Sequence, residues 1–143
     1  MREIVDAHHH LWDLDANPDY PWLQSPGDGG HMGRYEPLCR SYRLADYAAD
    51  TTSVRVAKTV HIEAGRARGQ SVAETAWVQS VADADGRPNA IVAYLDLLDP
   101  DFEAHLERHL AYPNLRGVRM RLTDGGKRLQ DLRPGDTLMS DAT

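Results

Sequence analysis

The chain has 143 residues, of which 16 are Lys or Arg and 22 are Asp or Glu, so its formal net charge is −6. A hydrophobic fraction of 41% is ordinary for a globular domain, and the acidic balance argues against the basic surface that binds nucleic acid. No apolar run reaches the roughly 18 residues that span a bilayer, so we expect no membrane contact. No apolar signal segment opens the chain, and the single Cys39 excludes an internal disulfide. We therefore expect a cytoplasmic protein.

Four short segments rich in β-branched and apolar residues predict strands. They are residues 4–10, 54–63, 90–97 and 115–122. Helical patterns lie between them, a weak one at residues 44–49, a clear one at 71–84 and a third that opens at Asp99 and Pro100. Alternation of strands and helices predicts right-handed βαβ units and a parallel sheet, which is the α/β class. Since no linker interrupts the pattern, we expect one domain over residues 1–143.

The helix predicted at residues 71–84 carries a start signal and an apolar face. Ser71 and Glu74 have the spacing of a capping box. Ala73, Trp77 and Val81 recur at helical spacing and are predicted to line the buried face.

The next predicted helix has an apolar stripe of Phe102, Leu106 and Leu110. It also contains His105 and His109, whose spacing would allow two ligands to one metal ion. No carboxylate signature accompanies this pair, so we expect both imidazoles on a solvated helix face.

A long connection of residues 13–43 separates the first strand from the first helix and is rich in Pro, Gly and Asp. Its aromatic residues are Tyr20, Trp22, Tyr35 and Tyr42. A connection of this length is typically functional or disordered. Two interpretations remain open, a surface excursion packed by its own aromatic residues or a lid over a site.

Side chains alternate along a strand, which predicts one apolar face and one polar face for each segment. Ligands of parallel α/β proteins bind at the carboxyl ends of the strands. We therefore expect the polar residues at these ends to converge in one pocket. They are His8, His10, His61, Glu63, Asp96, Arg119 and Arg121.

The pair His8 and His10 is the first candidate for metal binding. Alternation places Asp6, His8 and His10 on one face of the first strand and His9 on the other. Two parallel imidazoles can reach one cation at about 2.0 to 2.1 Å. Polar residues at a strand end, without a metal, are the alternative.

The charged residues of the later strands suggest substrate binding and proton transfer. Arg119 and Arg121 provide fork-shaped donors that suit a carboxylate. Ion pairs with Asp96 or Glu63 are the alternative interpretation, and both could hold at once. Glu63 and Asp96 are also candidates for proton transfer, although anchoring of the arginines is favoured for Asp96.

Several segments resemble the amidohydrolase-related (amidohydrolase 2) family. The most specific is Ile-Val-Asp-Ala-His-His-His-Leu-Trp-Asp at residues 4–13, which contains that family's H-x-H motif. Residues 59–64, 93–97 and 115–119 resemble its second, third and fourth strands, and residues 20–23 resemble its first long loop. The resemblance implies a (β/α)8 barrel of the TIM type, of which the four predicted strands form about half.

The resemblance also implies metal-dependent-type hydrolase chemistry. His8 and His10 match the H-x-H motif, which implies a divalent metal, zinc or manganese. The lactonase-like branch of the family hydrolyses cyclic esters, so we expect hydrolysis of a small carboxylated lactone. A decarboxylase of the same family, a lyase, is the first alternative, and a catalytically silent binding module is the second.

Residue roles follow from this expected reaction. A cation or a nearby general base would activate water, His61 would polarise or orient the substrate, and Glu63 would assist proton transfer. Arg119 and Arg121 would bind the substrate carboxylate, with Asp96 beside them. Many relatives have His where this chain has Met120, which leaves no predicted role at that position.

Eight βα units usually need about 250 residues, whereas four are predicted here. We therefore expect the isolated 143-residue chain to lack the later ligands of the family and to be inactive. We also expect self-association, because the first and fourth strands would each present an unpaired edge.

Overall fold

The computed structural model describes residues 3–24 and 33–120. In chain order it contains β1 (Glu3–His9), α1 (Pro21–Gln24), a 3₁₀ turn (Glu36–Leu38), α2 (Leu44–Asp50), β2 (Arg55–Ile62), α3 (Ser71–Asp85), β3 (Ala90–Tyr94), α4 (Phe102–Leu110) and β4 (Leu115–Arg119). The described strands pair in parallel in the order β1-β2-β3-β4. The predicted α/β fold is confirmed and is consistent with half of a TIM barrel. The predicted end of the fourth strand, with Arg121, lies outside the described residues.

An extra residue interrupts the pairing of β1 with β2. Asp6 pairs with Thr59 and His9 pairs with His61, so three steps along β1 match two steps along β2. The Asp6 carboxylate accepts a hydrogen bond from the backbone N–H of His8 at 3.1 Å, which accompanies this irregularity. Asp6 consequently lies on the same face as His9, and the predicted strict alternation in β1 is wrong.

Helix α3 begins without the predicted capping box. The residue before it is Gln70, and no side chain caps the helix. The carboxylate of Glu74 instead accepts hydrogen bonds from the backbone N–H of Ala64 at 2.9 Å and from the hydroxyl of Tyr20 at 3.2 Å. Glu74 therefore ties α3 to the end of β2 and to the long connection, and it does not act on Ser71.

The face of α3 that packs on the sheet is more polar than predicted. Its buried residues are Glu74, Thr75, Val78, Gln79 and Ala82. The predicted buried residues Ala73, Trp77 and Val81 are only half-buried. The prediction is wrong by about a third of a turn, because the polar residues of α3 find partners inside the structure.

Helix α4 packs on α3 through a histidine. His109 is fully buried, with Nδ1 at 2.9 Å from Thr75 Oγ1 and Nε2 at 3.4 Å from Ser71 Oγ. The expected solvated histidine face is therefore wrong for His109, and His105 is half-buried. Leu110 is 64% exposed, so the predicted apolar stripe does not extend to the end of the helix.

The described part of the connection 13–43 is fastened at both of its ends. The backbones of Trp12 and Tyr42 exchange two hydrogen bonds of 3.0 and 2.9 Å. Arg43 donates to both oxygens of Asp13, at 2.7 and 2.8 Å. A buried cluster then joins the connection to the end of β2. It contains Trp12, Tyr20, Leu23 and Ala64. Packing by its own aromatic residues is confirmed for this part of the connection.

The longest helix of the described residues is α3, with 15 residues. None of the helices in residues 3–24 and 33–120 has the length and apolar character needed to cross a membrane.

Candidate active site

A cleft opens at the carboxyl ends of β1, β2 and β4. Its volume is about 360 Å³, and its described lining consists of His10, Trp12, Trp22, Leu38, Glu63, Ala64 and Arg119. His10 directly follows β1, Glu63 directly follows β2, and Arg119 is the last residue of β4. The fold therefore gathers these three side chains at the edge of the sheet where α/β proteins bind ligands.

Glu63 and Arg119 form an ion pair within the cleft. Arg119 Nε and Nη2 lie 2.9 and 2.7 Å from Oε1 of Glu63, and Nη2 also donates to the Glu63 carbonyl at 3.2 Å. The other carboxylate oxygen accepts the backbone N–H of Gly65 at 2.7 Å. The predicted alternative of a Glu63 ion pair is confirmed.

This ion pair leaves part of the guanidinium accessible. The Glu63 side chain is 1% exposed, whereas the Arg119 side chain is 33% exposed. A buried carboxylate needs a paired cation, so Glu63 holds Arg119 in one orientation. Arg119 Nη1 makes no hydrogen bond to a described residue. It is a donor in place for an anionic ligand.

His8 and His10 approach each other where β1 ends. Their Nε2 atoms are 3.2 Å apart and their rings meet edge to face. His10 Nδ1 lies 2.8 Å from the carbonyl oxygen of Ile62, which can only accept, so Nδ1 carries the hydrogen. Burial lowers the pKa of His10, which favours the neutral ring. Nε2 of the neutral ring then offers a lone pair.

The two histidines fit one cation as two of its ligands. Nitrogens 3.2 Å apart, each about 2.1 Å from one ion, subtend about 100° at that ion, which is near the tetrahedral angle. A bond from the second ring nitrogen to a backbone carbonyl, as His10 makes, is typical of metal-binding histidines. In the described part of the chain, no group of three or more His, Cys, Asp or Glu could hold a metal ion.

His61 lies on the other face of the sheet, beneath α3. It pairs with His9, is almost fully buried and lines a small space with Val78. Its Nδ1 accepts a hydrogen bond from the backbone N–H of Leu11 at 3.3 Å, and burial lowers its pKa well below the ordinary value. The expectation that His61 shares the cleft is wrong. Glu63, which directly follows β2, borders both this small space and the cleft.

Asp96 borders a different cavity, of about 130 Å³, together with Arg68. Its Oδ2 lies 3.7 Å from Arg68 Nη2, and its Oδ1 accepts the backbone N–H of Leu98 at 3.1 Å. The predicted anchoring of Arg119 by Asp96 is wrong, since Glu63 takes that position. Arg121 lies outside the described residues, so its substrate-binding role remains a prediction.

Trp12, Trp22 and Leu38 line the cleft although the sequence did not single them out as site residues. The indole N–H of Trp22 donates to the carbonyl of Ala64 at 2.8 Å, and the two indole rings meet edge to face at 5.7 Å. The aromatic composition of the connection was the available signal. Which ring faces the cleft depends on how the connection folds back onto β2.

A protein family and a curated relative each match most of the chain. A family model described as Amidohydrolase matches residues 5–140. A Sinorhizobium fredii protein named uncharacterized protein y4mH is 39% identical over 127 residues, which cover 87% of this chain and 42% of that protein. The chain thus spans less than half the length of this relative. No solved structure gives a significant match.

Proposed function

The chain belongs to the amidohydrolase family, and we propose that the cleft of His10 and Arg119 serves the hydrolysis of a small carboxylated lactone. Family membership indicates a hydrolase-type function, and the lactone is our own assignment. The observation that carries it is the ion-paired Arg119 beside His10 in one cleft of about 360 Å³. Because the chain spans 42% of its relative, we assign the activity to a protein of that length, to which this chain contributes the cleft.

The proposed reaction needs an anion-binding group and a site for water. The water oxygen bonds to the acyl carbon and the acyl–oxygen bond of the ring breaks. One water proton passes to the ring oxygen, which becomes a hydroxyl group, and the other is released when the new carboxyl group ionises. Arg119 would bind the carboxylate of the substrate, because a guanidinium is the side chain best suited to carboxylates. This contact would hold the ester carbonyl near His10.

Glu63 and His61 have supporting roles in this proposal. Both oxygens of the Glu63 carboxylate are engaged, so we assign it to the positioning of Arg119 and not to proton transfer. His61 supports the backbone of Leu11 from the helix side of the sheet. Neither side chain needs to touch the substrate.

His8 and His10 would hold the divalent cation, zinc or manganese, that the family resemblance implies. When bound there, such a cation supplies Lewis-acid activation of water. The chain's own contribution is orientation, because the Ile62 carbonyl fixes the His10 ring and directs its Nε2 toward His8. Trp12 and Trp22 contribute apolar surface to the lining of the same cleft.

The test uses a version of the protein extended to the relative's length and a panel of carboxylated lactones. The rate of lactone hydrolysis is measured by pH-stat titration. His8→Ala and His10→Ala are each expected to lower kcat/KM by at least about a hundredfold, the scale of a lost catalytic group. His105→Ala is the control, since His105 borders a different cavity.

Unchanged hydrolysis in both His8→Ala and His10→Ala would contradict this proposal. Release of carbon dioxide without lactone opening would assign the decarboxylase alternative instead. Binding without any turnover would assign the silent binding module.

A further inference from the structure

A second cleft adjoins the one that contains Arg119. Its volume is about 410 Å³, and its described lining consists of His10, Trp12, Pro37, Leu38, Arg40, Tyr42 and Asp50. His10, Trp12 and Leu38 border both clefts. A ligand group held at His10 can therefore extend into either one.

Several polar groups around the second cleft already have partners. The Trp12 indole N–H donates to the Arg40 carbonyl at 2.6 Å, and the Tyr42 hydroxyl donates to Asp50 at 2.7 Å. Arg40 is paired with Asp46 at 3.3 Å, and its guanidinium lies over the Tyr42 ring at 5.7 Å. The surface that Trp12, Pro37 and Tyr42 offer a ligand is mainly ring and hydrocarbon, and the Arg40 guanidinium beside them is largely exposed to solvent.

Leu38 shows that this surface lacks a covering group among the described residues. It is an apolar side chain with 44% of its surface exposed, and it borders the cleft beside Trp12 and Tyr42. The first cleft differs, because the Arg119 side chain there is 33% exposed, is held by the buried Glu63 and keeps a donor without a described partner, whereas the Arg40 side chain is 59% exposed. One cleft thus suits an anionic group and the other suits a neutral, flat, apolar group.

The volumes of the two clefts also indicate that they hold different parts of one ligand. A cavity of roughly 150 Å³ holds one benzene ring, so a small lactone acid would fit within the first cleft of about 360 Å³. It would leave the second cleft, of about 410 Å³, without contacts. Resting on the proposed function, we propose that the substrate is a lactone acid with an aryl substituent, whose ring occupies the second cleft between Leu38 and Tyr42.

Binding to this chain tests the inference with three matched ligands: a five-membered lactone acid, its phenyl-substituted form, and a form with carboxymethyl in place of phenyl. Full burial of a phenyl-sized group strengthens binding about tenfold to a hundredfold. In calorimetry we expect the phenyl compound to bind at least about tenfold more tightly than the parent. The carboxymethyl compound is expected to show little gain, because an ion pair with the solvent-exposed Arg40, which already pairs with Asp46, contributes little to affinity.

Leu38→Gln identifies the surface responsible. It is expected to reduce the phenyl preference, which is the ratio of the two affinities, to less than about threefold, since it removes apolar contact with the ring. Because Leu38 borders both clefts, the readout is that ratio and not the affinity for the parent lactone alone. Leu97→Gln is the matched control, because Leu97 is exposed and borders neither cleft. Tyr42→Phe keeps the ring and should keep the preference.

The inference is overturned if the phenyl and parent compounds bind equally, if neither binds, or if Leu97→Gln has the same effect as Leu38→Gln. A gain for the carboxymethyl compound equal to that for phenyl would also overturn it. If both lactones are hydrolysed and no phenyl preference exists, the hydrolase stands and the aryl subsite fails. If the Leu38-dependent preference exists and no lactone is hydrolysed, the subsite stands and the proposed function fails.

Discussion

Two buried acidic residues, Glu63 and Glu74, have hydrogen-bond partners of different charge. Glu63 and Glu74 are both buried, but Glu63 faces the guanidinium of Arg119, whereas Glu74 accepts hydrogen bonds from a backbone N–H and the Tyr20 hydroxyl. Neutral donors compensate a buried charge less well than a cation does. Burial therefore raises the pKa of Glu74 from 4.5 to about 7.

The raised pKa of Glu74 predicts that this side chain makes the free energy of unfolding depend on pH. Since the folded state binds the Glu74 proton more tightly than the unfolded state, its contribution is greatest below pH 4.5 and is lost as the pH rises toward about 7. The loss is about 3 kcal/mol in order of magnitude. Glu74→Gln keeps an acceptor for both donors and should raise the free energy of unfolding at pH 8 but not at pH 4.5.

Urea unfolding at the two pH values measures the effect, with the exposed Glu107→Gln on α4 as the control. An unfolding free energy that falls between pH 4.5 and 8 equally in Glu74→Gln and in the unsubstituted chain would contradict the assignment.

At the element scale, local pattern determines where strands and helices lie but not how they contact each other. Each predicted strand overlaps an observed one, because runs of β-branched residues and helical spacing are local properties. The irregularity of β1 depends on Asp6, whose carboxylate also accepts the hydroxyl of Tyr47, 41 residues away. The missing capping box likewise depends on Tyr20, 54 residues from Glu74. Such partners are not visible in a window of sequence.

The same limit explains which site residues were predicted. Strand ends were sufficient to bring His10, Glu63 and Arg119 together, since each directly ends or follows a strand. Alternation alone does not say which face of a sheet a helix covers, so His61 was expected in the cleft although it lies beneath α3. Asp96 was expected to pair with Arg119, whereas its carboxylate lies 3.7 Å from the guanidinium of Arg68.

At the scale of the whole molecule, the sheet has two edges in its described part, since β1 pairs with β2 and β4 pairs with β3. Strand β1 also carries exposed apolar side chains, and Val5 is 60% exposed. Unpaired edges with apolar residues favour pairing with another chain. We propose that this chain self-associates through β1.

Light scattering over a range of protein concentrations tests this proposal. Val5→Lys should lower the average mass at high concentration, because a charged side chain opposes pairing at a strand edge. Leu110→Lys is the control, since Leu110 is exposed on α4. A monomer of the unsubstituted chain at every concentration would contradict the proposal.

Arg119, held by Glu63 beside His10, is proposed to bind the carboxylate of the ligand in the cleft. The most direct measurement is calorimetric titration of this chain with a carboxylated lactam, a slowly hydrolysed analogue of the lactone. Arg119→Lys should weaken binding about tenfold or more, because an ammonium cannot keep Glu63 and engage the ligand with a planar fork. Arg116→Lys should not, since Arg116 is exposed and donates to the carbonyls of Pro113 and Leu115 at 2.6 and 2.7 Å. Equal affinities for the unsubstituted chain and Arg119→Lys, with both folded by thermal melting, would contradict the claim.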